Sequence, residues 1–346
     1  METTVITGSG GESYVARELA EDGIAALEAK DYARCVERLD LLFKHFEASP
    51  YHYPSLYNRG LCHEAAETHL KAAESFALYV KEAMRRDRRR EQLDGRVRLG
   101  INLIKGGRPE PARRIFDLLL SREFILGADR AECHLRRAQS QRALGAHERA
   151  LTDIDLAIGN LQSSGLVDEE RVLVTEIHFE RGETFRGLAE RIVLKMPVAQ
   201  MKRDLADKMK LFRKAMHSYL SAVRNQEPYW STAAGNRLGT LYENFYTQVM
   251  RAEYPSDFNQ ETVKFYLITL KKRLVPMLQE ALSLYERTLS MSARLGAENQ
   301  WVQATKESAD RLRVMVLEVQ RELDEAAQGE MKEEPSSAQR SSAEGS

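Results

Sequence analysis

The stretch RLGINLIKGGRPEPARRIFDLLL, residues 98–120, carries the pattern that decides the fold of this chain. Apolar residues recur at spacings of three and four on both sides of its centre, which is typical of two amphipathic helices. Between them lies Gly106-Gly107-Arg108-Pro109, where glycine favours the end of one helix and proline the first turn of the next. The stretch therefore predicts two helices joined by a tight turn.

The same spacing of small and bulky residues occurs four times in the first half of the chain. Each set has a small residue, a second small residue 12 positions later, a bulky one at 16 and a medium-sized one at 19. The sets are Gly23, Cys35, Leu39, Leu42; Gly60, Ala72, Phe76, Tyr79; Gly100, Ala112, Phe116, Leu119; and Ala138, Ala150, Ile154, Ala157. Small residues let two antiparallel helices approach closely, and the bulky side chain fills the remaining gap. The sequence therefore predicts four helix pairs over residues 14–160 and an all-α fold, since no alternating strand pattern occurs.

This pattern resembles the tetratricopeptide repeat, whose signature is a Leu-Gly pair, a Tyr three residues on, then Ala, Phe or Tyr, and Ala. Residues 98–120 are the best single match, and NRLGTLYENFY, residues 236–246, matches the first-helix half. The resemblance implies a right-handed helical solenoid of about six irregular helix pairs with a terminal capping helix. The small marker residues at 23, 60, 100 and 138 give periods of 37, 40 and 38, against 34 for the family, which predicts longer loops or second helices.

Residues 161–325 fit the same scheme only with insertions. The fifth pair would contain Gly182, Phe185, Ala215, Tyr219 and Ala222, and the sixth Leu238, Gly239, Tyr242, Ala281, Tyr285 and Leu289. The small positions of these pairs lie 33 and 42 residues apart instead of 12. This predicts long helices, with a bend at Pro197 and breaks near Pro255 and Pro276. A last helix of about 20 residues from Asn299 or Trp301 would cap the array.

One motif of this second half resembles tetratricopeptide proteins that accompany envelope and gliding-motility machinery in bacteria. It is YERTL, residues 285–289, followed by Gly296, Asn299, Trp301 and Val302. Such proteins are commonly exported, whereas the start METTVITGSGGES has no basic segment followed by an apolar run. We therefore expect a cytoplasmic protein as the sequence is written, and a periplasmic one if a signal was trimmed or replaced.

The composition of the two ends, the overall charge and the hydropathy limit the classes of structure and partner further. Residues 1–13 and 326–346 have little to bury, which predicts a disordered lead and a disordered tail. The 51 Lys and Arg almost balance the 52 Asp and Glu, so nucleic acid and anionic bilayers are not favoured as partners by net charge. No uncharged apolar stretch of 18 residues occurs, which predicts no transmembrane segment.

Residues with catalytic or metal-binding chemistry are isolated in this sequence. Cys35, Cys62 and Cys133 are odd in number and far apart, and we expect reduced core residues in place of a disulfide framework. His63 begins HEAAE, which lacks the second His of a zinc-binding helix, so a partly packed side chain is expected. Neither a GxxxxGK[ST] phosphate loop nor a GxSxG elbow occurs. We expect no catalytic residue, no metal, no cofactor and no enzymatic activity.

The family resemblance implies a partner-binding groove on the first helices of the pairs. In the register of this chain, its residues are Tyr57, Leu61, Arg98, Ile101, Arg136, Gln139 and Arg142. The family's Lys and Asn carboxylate clamp is absent, because Tyr57 and Leu61 occupy those positions in the second repeat. Arginines suit carboxylates and the other side chains suit apolar anchors, so we expect a protein or peptide partner with acidic and apolar residues. Alternatively, some of these residues only stack against the next repeat.

A second candidate surface is the arginine-rich turn between the second and third repeats. It contains Arg85, Arg86, Arg88, Arg89 and Arg90. It is either a basic docking patch for an acidic protein, nucleic acid or lipid headgroups, or a solvated helix end near the negative pole of the helix dipole. Stacking aromatic residues for single-stranded nucleic acid are absent nearby, so nucleic acid is the weaker choice.

The function that these patterns favour is a non-catalytic interaction scaffold within a larger assembly. The competing hypothesis is a ligand-binding or enzymatic α-helical domain in residues 160–325. Its cavity would be lined by Trp230, Tyr242, Tyr246, Tyr285 and Trp301, although aromatic residues at helical spacing also build ordinary cores. Self-association through an uncapped end is a third possibility, and the oligomeric state stays open.

Overall fold

The computed structural model describes residues 6, 7 and 13–333 of the chain. In this part the chain forms thirteen α-helices and one short antiparallel pairing of β1 (Ile6–Thr7) with β2 (Ser13–Tyr14). The helices are α1 (Ala16–Glu28), α2 (Tyr32–His45), α3 (His52–Ala65), α4 (His69–Arg85), α5 (Arg89–Lys105), α6 (Pro109–Leu120), α7 (Gly127–Ala143), α8 (His147–Ser163), α9 (Arg171–Glu190), α10 (Val198–Arg224), α11 (Pro228–Met250), α12 (Gln260–Arg294) and α13 (Gln300–Glu333). The all-α prediction is confirmed, with the small β pairing as an addition that the sequence pattern did not indicate.

The helices divide into two compact units, Met1–Leu166 and Val167–Ser346. In the first unit, α1 packs on α2, α3 on α4, α5 on α6 and α7 on α8. In the second unit, α9 packs on α10 and α11 on α12, while α13 lies against α11 and α12. The prediction of six helix pairs with one terminal helix is therefore confirmed.

The predicted small and bulky residues meet inside each pair. A Cβ atom added to Gly23 would lie 2.6 Å from Leu39 Cδ2, and one added to Gly60 would lie 2.7 Å from the ring of Phe76. The bulky residue of every pair is fully buried, and these residues are Leu39, Phe76, Phe116, Ile154, Tyr219 and Tyr285. The glycines are thus required by the close approach of two helices, including the long pairs of the second unit.

The turns between paired helices lie where the sequence indicates. The first turn has Lys30 at a φ of 61°, the third has Gly107 at 74° and the fourth has Gly145 at 77°. A left-handed residue just after a helix lets the chain reverse and satisfies the last carbonyl groups of that helix. In the third turn, for example, the Arg108 amide donates to the Leu103 carbonyl oxygen at 2.7 Å.

Two predicted interruptions have different outcomes. Helix α9 ends at Glu190 and α10 begins at Val198, directly after Pro197, so a bend lies there as expected. The predicted break at Pro276 is wrong, because α12 continues through it for 35 residues. Proline removes one hydrogen bond and costs a helix about 3 kcal/mol, which burial of neighbouring Val275 and Leu278 in the core offsets.

The carboxy-terminal helix is longer than predicted. Helix α13 has 34 residues, against the expected length of about 20, and extends to Glu333 into the predicted tail. Its last turns, AAQGEMKE, are rich in residues with high helix propensity. Residues 334–346, and most of the predicted lead at residues 1–13, lie outside the described residues.

The cysteines require a correction. Cys35 of α2 and Cys62 of α3 form a disulfide, with their Cα atoms 5.8 Å apart. Both are fully buried, as expected for core residues, but the prediction that they are reduced is wrong. Stacking of adjacent repeats brings together two positions that are 27 residues apart in sequence. Cys133 is free and buried, and burial raises the pKa of its thiol to about 12.

Candidate partner-binding groove

The first helices of the second, third and fourth pairs enclose a cavity of about 250 Å³ in the first unit. Helices α3, α5 and α7 each contribute to its walls. The lining residues are Tyr57, Leu93, Asp94, Val97, Arg98, Ile101, Asp129, Glu132 and Arg136. Four of the seven predicted groove residues, Tyr57, Arg98, Ile101 and Arg136, therefore lie around one cavity.

The remaining predicted groove residues lie outside this cavity. Leu61, Gln139 and Arg142 are each half-buried. Gln139 follows Arg136 by one helical turn and accepts a 3.2 Å hydrogen bond from its guanidinium group. The structure thus divides the predicted groove into a cavity and residues further along α3 and α7.

The cavity is lined by carboxylates that the predicted set did not include. Asp94, Asp129 and Glu132 all border it, and Arg90 pairs with both Asp94, at 3.1 Å, and Asp129, at 2.8 Å. Burial, together with the charges of Asp129 and Glu132, raises the pKa of Asp94 although Arg90 opposes the shift. A raised carboxyl pKa shows that negative charge is disfavoured at this point of the wall.

A pattern in the sequence indicates that carboxylates lie on the α7 side of the cavity. Asp129, Glu132 and Arg136 follow one another at helical spacings of three and four, so they share one face of α7. The groove positions of the repeat include Asp94 and Glu132, but the sequence-based hypothesis inferred the charge of the partner from the arginines alone.

The predicted arginines of the cavity already have carboxylate partners. Arg98 donates to Glu64 Oε1 at 3.2 Å, and Asn102 donates to Glu64 Oε2 at 2.9 Å. Arg136 pairs with Glu132 at 3.1 Å. A carboxylate of a partner would have to replace an existing ion pair in order to bind either guanidinium group.

An aromatic cluster supports the α3 side of the cavity. The ring of Tyr57 lies 5.5 Å from Phe76 and 5.1 Å from Tyr79, measured between ring centroids. Tyr53 stacks on Tyr79 at 5.2 Å, and its hydroxyl donates to Glu91. Burial and the neighbouring Glu91 raise the pKa of Tyr53, so the hydroxyl stays protonated. Tyr57 is therefore held in place by packing before any partner arrives.

The predicted basic patch is divided among several local interactions. Arg85 and Arg86 both pair with Glu82, at 2.5 and 2.6 Å, and Arg86 also lies 4.2 Å above the ring of Tyr53. Arg90 pairs with Asp94 and Asp129, two carboxylates of the cavity wall. Arg88 and Arg89 are exposed at the junction of α4 and α5, and neither forms an ion pair with a described residue. The five arginines therefore do not present one uniform surface.

The isolated histidine has a structural environment. His63 is 1% exposed, and its Nδ1 lies 3.0 Å from the Thr68 hydroxyl oxygen.

Within residues 6–7 and 13–333, no three His, Cys, Asp or Glu side chains are grouped in a way that suits a metal ion. None of the helices in the same part of the chain has the length and apolar character needed to cross a bilayer.

The aromatic residues proposed for a ligand cavity in the second half belong to the core. Tyr246 and Tyr285 are buried, and Tyr242 packs against the same cluster. Trp230 and Trp301 surround Phe179, with ring centroids 5.2 and 6.1 Å from it. The second unit does contain cavities of about 470 and 870 Å³, but other residues line them.

The chain is similar to several solved structures at low sequence identity. No family model matches the chain, and no curated protein matches it. A tetratricopeptide repeat protein from Parabacteroides merdae ATCC 43184 is 14% identical, covers 84% of this chain and 98% of its own, and has a TM-score of 0.39. The TPR2AB domain of yeast Sti1 in complex with pHSP90 is 12% identical, with coverages of 84% and 98% and a TM-score of 0.25. A human IFIT1 dimer with m7Gppp-AAAA is 14% identical, with coverages of 87% and 72% and a TM-score of 0.42.

The identities and TM-scores are low, so these likenesses carry no statement about function. The six helix pairs, with their close small-to-bulky contacts, and the terminal helix give the chain a tetratricopeptide-like repeat architecture. Repeat folds bind unrelated ligands, so the site itself has to supply the argument for function.

Proposed function

We propose that the first unit is a protein-interaction scaffold whose groove binds a segment of a partner protein. The segment would carry a basic residue next to an apolar one. The basic residue would enter the cavity between α5 and α7, and the apolar residue would lie against Tyr57 and Ile101. No catalytic step is part of this proposal.

The observation that carries the proposal is the pair Asp94 and Asp129 at one cavity, because the third carboxylate, Glu132, is already paired with Arg136. Side chains of Asp94 and Asp129 are 39% and 36% exposed, so a ligand can reach them. Arg90 bridges these two but is itself 68% exposed, where an ion pair contributes little. A lysine or arginine of a partner would add positive charge where the raised pKa of Asp94 shows that negative charge is disfavoured.

The apolar residue of the partner segment would pack against apolar residues of the same cavity. Leu93 and Val97 are 6% and 8% exposed and form the base of the cavity, while Ile101 and Tyr57 stand half-buried beside it. Burying an apolar side chain here contributes roughly 1.5–3 kcal/mol of the binding free energy. The predicted acidic partner rested on Arg98 and Arg136, and their existing ion pairs are the reason that we now propose a basic segment.

A peptide-library selection tests this proposal. Random 12-residue peptides are displayed and selected on the full chain, and we expect enrichment of Lys or Arg within four residues of Leu, Ile or Phe. The variant D94N/D129N should lose the preference for basic residues. The variant D168N/E169Q removes two exposed carboxylates of the second unit and serves as the matched control. Enrichment of acidic peptides, or the same selection with D94N/D129N, would contradict the proposal.

Binding of a small ligand by residues 160–325 remains the second candidate function. The observation in its favour is that the second unit has two cavities lined by basic and apolar residues. The larger one, between α10, α11 and α12, includes Arg224, Arg287 and Arg294. Membership of a larger assembly, and the link to bacterial motility, stay predictions from the sequence resemblance alone.

A further inference from the structure

Helices α9 and α10 of the second unit enclose a cleft of about 470 Å³. This volume lies within the range of about 300–1,000 Å³ that is usual for small-ligand sites. Its lining residues are His178, Arg181, Phe185, Arg213, Lys214, His217, Ser218 and Ser221. The cleft is separate in sequence from every residue of the proposed groove.

The charge of this cleft is one-sided. Five of its eight lining residues are Arg, Lys or His, and none is Asp or Glu. Residues 208–226 of α10 and the following turn, KMKLFRKAMHSYLSAVRNQ, contain no acidic residue at all. This contrasts with the groove of the first unit, where carboxylates line the wall and pair with the arginines. The cleft therefore attracts anions without an internal carboxylate to compete for them.

Two of the cations are available to a ligand. Arg213 and Lys214 are exposed, and neither forms an ion pair with a carboxylate among the described residues. The Lys214 ammonium group lies 5.2 Å from the centroid of the Phe185 ring, which holds it on the α9 side of α10. The Lys214 charge is therefore directed towards α9, and Arg213 lines the same cleft.

The spacing of the residues makes the charges converge. On α9, His178, Arg181 and Phe185 are separated by three and four residues, so they share one helical face. On α10, Arg213 and His217 are four residues apart and likewise share a face. Cationic groups from two packed helices therefore meet at one place.

The remaining polar groups of the cleft add no negative charge. Burial, and then the charges of Arg181 and His217, lower the pKa of His178. The hydroxyl groups of Ser218 and Ser221 donate to the carbonyl oxygens of Lys214 and His217, at 2.8 and 3.0 Å, and add no negative charge. An anion in the cleft would interact favourably with Arg213 and Lys214, which form no ion pair with a described carboxylate.

From this geometry, we propose that the cleft between α9 and α10 is a binding site for a phosphate monoester. The phosphoryl group would lie among Arg213, Lys214 and His217, with Arg181 at the inner end. A phosphoryl group carries close to two negative charges and three acceptor oxygens, whereas a carboxylate offers one charge and two oxygens. Several converging donors without any carboxylate therefore match a phosphoryl group better than a carboxylate. The shared chemistry fits a phosphorylated side chain of a partner protein and a small phosphorylated metabolite alike.

Calorimetric titration of the full chain tests the site with four probes. These are a seven-residue peptide with one phosphoserine among alanines, the same peptide unphosphorylated, free phosphoserine, and inorganic phosphate. We expect the phosphorylated peptide to bind and the unphosphorylated one not to bind. The variant R213Q/K214Q should weaken binding at least about tenfold, because two charge-assisted contacts are lost. The matched control R88Q/R89Q, which removes two exposed arginines of the first unit, should bind as the wild type does.

The outcomes separate the two sources of the phosphate and decide the proposal. Binding of the phosphopeptide about tenfold tighter than phosphoserine assigns the site to a partner protein, and equal affinity assigns it to a small molecule. A second variant, H217Q, should also weaken binding, which covers the case in which R213Q/K214Q fails to fold. Absence of binding by all phosphorylated probes, equal binding of the unphosphorylated peptide, or unchanged affinity in a folded R213Q/K214Q variant would overturn the proposal.

Discussion

The hydroxyl group of Tyr219 donates a 2.6 Å hydrogen bond to Glu183 Oε1 inside the second unit. The ring of Tyr219 packs at the same time on Gly182, where an added Cβ atom would overlap it. Tyr285 repeats this arrangement in the sixth pair, with Gly239 against its ring and its hydroxyl 3.1 Å from Glu243 Oε2. The long pairs thus keep the close glycine contact of the short ones and add a carboxylate that satisfies the buried hydroxyl.

Removal of that hydroxyl should destabilise the second unit. In Y219F, Glu183 loses one hydrogen bond in a buried site, and the free energy of unfolding should fall by about 1–2 kcal/mol. Urea denaturation followed by circular dichroism measures this change. Y254F, which alters an exposed tyrosine of the same unit, is the control and should be neutral. Equal stability of Y219F and the wild type would show that the hydrogen bond contributes nothing.

The same carboxylate predicts a pH dependence. Burial opposes ionisation of Glu183, but hydrogen bonding and charge from Arg186, the charge of Arg237 and the Tyr219 hydroxyl together lower its pKa below the ordinary 4.5. The unfolded chain therefore takes up the proton first, and the stability from this group is present above about pH 4.5 and lost as the pH falls through the folded-state pKa. In E183Q the unfolding free energy should be smaller and should change less steeply between about pH 5 and 3. An unchanged slope would contradict this assignment.

Two glycine substitutions should have opposite effects. In G100A, the new methyl group would collide with the ring of Phe116, and we expect a loss of about 1–3 kcal/mol. In G159A, no atom lies within 4 Å of the added carbon, so the gain in helix propensity should stabilise the chain by up to about 1 kcal/mol. Urea denaturation of both variants measures the difference. Similar effects in the two variants would rule out the close helix contact as the reason for the marker glycine.

The disulfide predicts a definite pattern of thiol reactivity. Alkylation of the native and of the unfolded, unreduced chain, followed by peptide mapping, should find Cys35 joined to Cys62. Cys133 should react only after unfolding, because it is buried and its thiol pKa is raised. C35A/C62A should lower the unfolding free energy by about 3 kcal/mol, as expected for a loop of this length. Detection of three free thiols in the unfolded chain would refute the pairing.

Steric patterns within a helix pair could be predicted from the sequence, and contacts between pairs could not. Gly23 and Leu39 follow a fixed local spacing, so the sequence alone places them together. Cys35 and Cys62 lie in different pairs, and only the stacking of repeats brings their Cα atoms to 5.8 Å. The local pattern at Pro276 predicted a break that does not occur, because packing of α12 on its neighbours outweighs the hydrogen bond that proline removes.

One kind of contact between pairs does correspond to a pattern in the sequence. Arg59 donates to Asp40 at 2.6 Å, and Arg137 donates to Asp117 at 3.0 Å. Each arginine directly precedes the marker of its own repeat, and each aspartate lies 17 residues after the marker of the previous one. Reading this register would have located two repeat junctions. The sequence argument treated Arg98 as available to a partner for a related reason. Arg98 pairs with Glu64 of the preceding repeat, and this contact also depends on the stacking of repeats.

We propose above all that the cavity at Asp94 and Asp129 binds a basic and apolar segment of a partner. The most direct test of this claim is the fluorescence anisotropy of the strongest selected peptide, measured with the wild type, D94N/D129N and D168N/E169Q. We expect D94N/D129N to bind at least about tenfold more weakly and D168N/E169Q to bind like the wild type. Unchanged affinity in D94N/D129N, or tighter binding when the peptide's basic residue is replaced by Glu, would contradict the claim.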